Sequence, residues 1–201
     1  MGTATAISPR PRLSNDFVVE MKRTRIMESA ARVAYEVGIE GAKLSILVRE
    51  ASVARKTFYE IFDGKDDCME QTLSWVGERA HHAMVEAQAA RAIGHTARVR
   101  HALDALLGFV AEHPSLAGFY LLHGPTVNLS TFEAAQESFG KLLAPLDFEE
   151  PGRELIVGGI AQVLRHHFLK NPEADPRLLK AGLTDFIASF VADSAPQAVA
   201  A

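Results

Sequence analysis

The sequence holds one cysteine, Cys68, and one tryptophan, Trp75, in 201 residues. A single cysteine excludes an intrachain disulfide framework and an all-cysteine zinc site. No apolar stretch approaches the roughly 18–20 residues that span a bilayer. The longest, Leu155 to Leu164, is short and contains Gln162. No basic stretch followed by an apolar core stands at the N-terminus, so no secretory signal is read and a cytoplasmic protein without membrane contact is expected. Wholesale disorder is excluded, since 48% of residues are hydrophobic and 23% charged. Catalytic signatures are also lacking: there is no glycine-rich phosphate loop, His-Glu-x-x-His or nucleophile elbow. Ser138-x-x-Lys141 matches one element of penicillin-recognising enzymes, but the Ser-Asp-Asn and Lys-Thr-Gly partners do not occur. No enzyme is expected. Asn128-Leu-Ser130 fits a glycosylation sequon, which has no meaning in the cytoplasm.

What is present is a division of charge. The formal net charge is −4, yet residues 1–65 carry eleven Lys/Arg against eight Asp/Glu, and residues 66–201 carry ten against seventeen. A +3 head therefore precedes a −7 body that holds all eight histidines. Such asymmetry points toward nucleic-acid or membrane contact.

The hydrophobic pattern is helical throughout and never alternates with period two. Residues 1–22 read as a flexible basic arm carrying Arg10 and Arg12, with a short helix that Ser14-Asn15-Asp16 can cap. From Arg23 a helix places Ile26, Ala30, Val33, Ala34 and Val37 on one face, and Gly38 stops it. Leu44, Leu47, Val48 and Ala51 make a second short stripe. Val53, Thr57, Phe58, Ile61 and Phe62 belong to a third, after a tight connection at Ser52-Val53-Ala54. Both segments are too short to stand alone; with the first helix they form a minimal core around Val33, Leu47, Val53 and Phe58. Asp63 and Asp66 resemble a capping box. A long helix over residues 65–90 follows, with Leu73, Val76, Ala80 and Met84 on one side. Further helical segments are expected near 95–113, 115–123, 127–144, 152–170 and 175–193, separated at Gly94, Pro114, Gly124-Pro125, Pro145, Pro151 and Pro172. The expected fold is all-α, about nine or ten helices, divided as 1–22, 23–65 and 66–201.

Two short helices joined by a tight turn suggest a helix-turn-helix. If the second begins near Arg55, then Arg55, Lys56 and Tyr59 share its outer face while Phe58 and Phe62, four apart, point into the core. Cations, a hydroxyl at Thr57 and a phenol suit a helix whose first residues meet base edges and whose polar groups anchor phosphates. Arg or Lys against the O6/N7 edge of guanine is the commonest specific base contact.

These residues carry a resemblance. The stretch from Arg23 to Cys68 resembles the DNA-binding domain of TetR-family transcriptional regulators. That pattern has a first helix ending in glycine, as at Gly38, then Ile-Ala-x-x-Ala-Gly-Val-Ser-x-x-Thr-Phe-Tyr-x-x-Phe and a Lys-Asp/Glu pair. Leu47, Val48, Ala51, Val53, Thr57, Phe58, Tyr59, Phe62, Lys65 and Asp66 match in place. Ser52 departs from the turn glycine, Ala54 from the serine that caps the recognition helix and touches phosphate, and Lys43 from the hydroxyl residue at the start of the second helix. The resemblance covers about 45 residues. It implies DNA contact by Lys43, Ser45, Arg55, Lys56, Thr57, Tyr59 and Lys65. It further implies an all-α C-terminal body that binds a small-molecule effector and dimerises through its last two long helices, near 152–170 and 175–193. In those helices Leu155, Ile156, Ile160, Val163, Leu164 and Phe168 form one apolar surface. Leu178, Leu179, Leu183, Phe186, Ile187, Phe190 and Val191 form another, and Gly158-Gly159 lets another helix approach closely. A two-fold dimer implies a pseudo-palindromic operator. The implied function is a bacterial, cytoplasmic repressor released from DNA by its effector; an activator, or a regulator without effector, is the alternative on the same domain. A helical enzyme or ligand carrier would be a different class, without support from any catalytic group.

Other residues have plainer readings. Cys68, without a second cysteine, is expected to be a small packed residue rather than a redox sensor. His81-His82 and His166-His167 diverge by about 100° on a helix and cannot chelate locally, and Glu78 with His82 makes only two ligands, so no metal and no cofactor are expected. Trp75, Phe109, Phe119, Tyr120, Phe132, Phe139 and Phe168 can line an apolar pocket or pack as core; Trp75, Phe109 and Tyr120 are the candidate effector-lining residues.

Overall fold

The computed structural model describes residues 15–89, 94–143 and 150–193; the part of the expected arm that carries Arg10 and Arg12 lies outside them. Among the described residues there is no strand, and the all-α expectation holds. The helices are α1 (Asn15–Gly41), α2 (Leu44–Glu50), α3 (Arg55–Tyr59), α4 (Lys65–Ala89), α5 (His95–Glu112), α6 (Pro114–Val127), α7 (Leu129–Lys141), α8 (Glu150–Lys170) and α9 (Lys180–Asp193). A 3₁₀ turn, Pro176–Leu179, precedes α9.

The short helix and the helix expected from Arg23 are one continuous helix, α1. It bends away at Gly38, which has φ 76° and ψ 168°, a left-handed value that glycine takes without a Cβ penalty. The Gly38 carbonyl then accepts the Ala42 N–H. Ile26, Ala30, Val33 and Ala34 are buried as expected. Val37 is not: it stands 54% exposed. Leu47 of α2 and Phe58 of α3 close the head's core, with Phe62 beside them, while Val53 is only half-buried.

The turn between α2 and α3 shows what the two departures from the family pattern do. Ser52 has φ 50°, the one positive φ among described non-glycine residues. A side chain in this region costs free energy that glycine avoids. We therefore expect Ser52→Gly to raise unfolding stability by about 0.5–1 kcal/mol, read from the midpoint of chemical denaturation. An unchanged midpoint would overturn the strain. Ala54 occupies the N-cap of α3 and supplies no side-chain acceptor. Ala54→Ser is expected to add about 1 kcal/mol by capping a free N–H of the first turn, measured the same way.

Behind the head, α4 runs through the body and packs against α1, α5, α6 and α7. Leu73, Val76, Ala80 and Met84 are buried as expected. The residue reaching back over its start is Asp67, not Asp66: its Oδ2 accepts the Asp63 N–H at 2.9 Å. A second boundary also differs from expectation. α6 continues through Pro125 to Val127. Asn128, not the proline, marks the break: its side chain accepts the Thr131 N–H at 3.0 Å and caps α7. The sequon at Asn128 is thus a helix cap. Its Nδ2 also donates to Glu70 at 2.8 Å, fastening the α6–α7 corner to α4.

The last two helices bury much of their apolar stripe within the chain. Ile156, Leu164, Phe168, Leu183 and Ile187 are core. Gly159 is the close-approach glycine, since a Cβ there would stand 2.7 Å from Phe186 of α9. Gly158 faces open space. Leu155, Val163, Leu169 and Leu178 remain exposed.

Candidate functional site

Two places collect the expected functional residues. The first is the head. Arg55, Lys56 and Tyr59 are exposed on α3, Thr57 is half-buried, and Lys43 and Ser45 are exposed at the start of α2. Phe58 and Phe62 turn inward with ring centroids 5.4 Å apart. This inward pair fixes the rotation of α3, and so decides that Tyr59 faces out. Lys56 pairs with Glu60 at 3.8 Å on the open surface. A pair so exposed is weak and releases its cation readily to a phosphate or base.

Lys65 is placed differently from the other expected anchors. It is partly buried, and its Nζ donates to the Ile39 carbonyl at 3.2 Å. The ammonium ties the start of α4 to the end of α1. A second tie lies nearby and was not legible in the sequence. Arg23 of α1 donates to Gln71 Oε1. Gln71 Nε2 donates to both Asp67 oxygens, at 2.9 and 3.0 Å. The Arg23 guanidinium also lies 5.2 Å over the Phe62 ring. These partners lie 48 residues apart, beyond any local period. Together they bind the first turns of α4 to the reading head. Arg25 adds a bond from α1 to the Ser52 carbonyl at the turn, 3.3 Å long.

The second place is a cavity in the body, about 80 Å³, among α4, α5, α6, α7 and α8. Phe109 and Tyr120 line it. Trp75 does not. It lies on an outer groove between α4 and α5, where the Arg79 guanidinium sits 4.9 Å over its ring. The indole is half-buried there and packs against the core from that side. Among the other aromatics, Phe139 lines the cavity. Phe119 is fully buried core, and Phe168 packs edge-on against Tyr35 at 5.9 Å. The remaining walls are aliphatic, including Val76, Ala80 and Met84 of α4. Aliphatic linings have no chemistry to mark them in a sequence, and Gln136 is the exception.

Beside this cavity a groove of about 1070 Å³ opens between α7 and α8. Gln136, Leu121, Val157 and Ala161 line both spaces, so one layer of side chains separates them. The groove carries Lys141, Arg153 and Arg165 together with Glu133, Glu137 and Glu154. Tyr120 is 5% exposed, and its hydroxyl is buried without a partner among the described residues. Burial pushes its pKa well above the ordinary tyrosine value, so the phenol is a proton donor at any physiological pH.

Cys68 is buried, and desolvation pushes its thiol up to about 12. A thiol held protonated is a poor nucleophile, as the packed reading requires. Among the described residues no group of three His, Cys, Asp or Glu is placed to hold a metal ion. His82 instead faces Glu86 at 3.5 Å. No single described helix is long and apolar enough to cross a membrane.

A three-helix head with a helix-turn-helix, α2 and α3, is thus fastened to a helical body that holds a cavity. Residues 26–72 match the model of the family described as bacterial regulatory proteins, tetR family. Comparison with curated protein sequences gives no match. Solved structures share the fold at low identity. The fatty acid degradation regulator FadR from Bacillus halodurans is 18% identical, with a TM-score of 0.73 over 83% of this chain and 94% of that one. FadR from Bacillus subtilis, solved in complex with stearoyl-CoA, is 17% identical, with a TM-score of 0.73 over 83% and 97%. A TetR-like transcriptional regulator from Rhodococcus sp. RHA1 is 17% identical, with a TM-score of 0.70 over 90% and 99%.

Proposed function

We propose that this protein is a homodimeric, sequence-specific repressor released from a pseudo-palindromic operator by a small-molecule effector held in its body. The observation that carries the DNA reading is the outer face of α3. Arg55, Lys56 and Tyr59 stand exposed on a helix whose rotation is set by buried Phe58 and Phe62. The +3 charge of residues 1–65 attracts the phosphate backbone, and the acidic body disfavours contact elsewhere. Lys43 and Ser45 act as further anchors. Lys65 contributes by holding α4 to α1, with its remaining N–H groups available to phosphate. Residues 23–65 form the reading part and residues 66–201 the effector and dimer part, with the boundary at the first turn of α4.

Effector release follows from the position of α4. Val76 lines the cavity eleven residues beyond Lys65, about 16 Å along the helix. A ligand that pushes on Val76, Ala80 and Met84 moves a rod fastened at its other end to the head by Lys65–Ile39 and Arg23–Gln71–Asp67. The spacing of two heads in a dimer then changes, and operator affinity falls. Reciprocity requires that operator DNA weaken effector binding by the same factor. The apolar cavity supports an effector with an apolar part, and the stearoyl-CoA in the Bacillus subtilis FadR structure supports a body of this fold holding such a molecule. The outer faces of α8 and α9, where Leu155, Val163, Gly158 and Gly182 are exposed or open, are the dimer surface.

The test is selection of binding sites from random duplex DNA with the full chain. Enrichment of one two-fold-symmetric sequence, with affinity falling steeply as salt rises, supports the reading. Equal binding of all sequences at every salt concentration sinks it.

A further inference from the structure

The body's cavity is apolar on nearly every side, yet one of its walls is a phenol whose hydroxyl has no partner among the described residues. An unmet buried hydroxyl is a standing loss that a phenylalanine would not incur. Its ring is held on several sides. A Cβ at Gly77 of α4 would stand 3.3 Å from Tyr120 Cε2, and the Phe132 and Phe139 rings lie 5.1 and 6.3 Å away. The ring is thus packed within the bundle and its hydroxyl is shielded from water.

We propose that Tyr120 is the specificity-determining donor of the cavity, and that its hydroxyl binds an uncharged carbonyl oxygen carried on the apolar part of the ligand. The proposal deepens the effector reading above and rests on it for its biological sense. The charge state of the acceptor follows from the lining. No Lys, Arg or His lines the cavity, and a carboxylate taken into such a space without a cation is strongly disfavoured. A ketone, ester or thioester oxygen is the acceptor that one phenol can satisfy. Anionic groups of a larger ligand belong outside this cavity. Size follows as well. A cavity of about 80 Å³ is smaller than the roughly 150 Å³ space that accommodates benzene. A ligand must therefore spread the helices as it enters, and α4 supplies three of the walls.

The test uses the full chain without DNA and two probes of nearly the same shape, 2-heptanone and 2-methyl-1-heptene, in which a methylene replaces the oxygen. Calorimetric titration of the wild-type protein is expected to show the ketone binding about tenfold more tightly than the alkene. In Tyr120→Phe that preference disappears through loss of ketone affinity, while thermal unfolding stays the same or moves up because the unmet hydroxyl is gone. Equal affinity of the two probes in wild type overturns the proposal, as does failure of both to bind at millimolar concentration. A Tyr120→Phe protein that keeps the preference also overturns it. The wild-type comparison decides even if the variant fails to fold. Operator release is measured separately. A ketone that binds through Tyr120 without loosening DNA leaves the cavity assignment standing and removes the release mechanism. Release of DNA by both probes alike removes the assignment and leaves the mechanism.

Discussion

Tyr59→Ala and Lys56→Ala are each expected to cost about 1–3 kcal/mol of affinity for the selected operator, roughly tenfold to more than a hundredfold. The two should differ in kind. Tyr59 is an exposed, uncharged group on α3, so its loss should lower operator binding and leave binding to unrelated DNA nearly unchanged. Lys56 carries charge as well, so its loss should also reduce the slope of log affinity against log salt by about one. Titration of the operator and of a scrambled duplex at several salt concentrations separates these outcomes. Unchanged discrimination between the two duplexes in both variants would refute the assignment of α3 as the reading helix. Phe58, next to Tyr59 and two positions from Lys56, must not serve as a control: it is fully buried, and its removal would unfold the head and imitate a loss of contact.

The largest structural effect is expected at Gly118 of α6. A Cβ there would stand 2.4 Å from both Tyr35 Cδ2 and Cε2, where α1 crosses α6. No real Cβ contact is that short, so the tyrosine ring must leave. It then loses its edge-on contact with Phe168, which joins α1 to α8. Gly118→Ala should therefore lower stability by about 2–3 kcal/mol, despite the helix propensity that alanine adds. Gly108 of α5 provides the matched comparison, since nothing lies within 4 Å of a Cβ built on it. There the same substitution should raise stability by up to about 1 kcal/mol. Denaturant midpoints of opposite sign bear out the close approach. A neutral Gly118→Ala would show that Tyr35 moves aside freely.

Much of the reading head was legible because its information is local. Leu47, Phe58 and Phe62 repeat at helical spacing, and the motif from Leu47 to Phe62 fixes the relation of turn to recognition helix. Gly38 was readable as a stop because a left-handed residue has a chemical signature. Val37 departs from this pattern: periodicity puts it on the face of Ile26, Ala30, Val33 and Ala34, yet it stands exposed. Pro125 departs from expectation too. Sequence punctuation marks where a helix can end, whereas the cap at Asn128 and its bond to Glu70 decide where it does end.

The body was less legible, and the aromatics show why. Trp75, Phe109 and Tyr120 were equivalent as candidates, because an aromatic at helical spacing suits core, cavity and surface alike. Folding placed Phe109 and Tyr120 on the cavity and left Trp75 outside under Arg79. Lys65 was likewise indistinguishable from Lys43 as a cation near a helix start. Only the approach of Ile39's carbonyl sets it apart.

By itself the sequence determined the helical class, the order of elements, the rotation of α3 and the polarity of charge from head to body. All of these depend on residue type and on spacings of a few positions. The tertiary structure decided which side chains meet across dozens of residues: Arg23 with Gln71, Gly118 with Tyr35 and Gly159 with Phe186, while the Tyr120 hydroxyl is left without a hydrogen-bond partner among the described residues. The physical reason is that such contacts depend on how whole helices cross, and crossing is set by the summed packing of many side chains rather than by any local pattern.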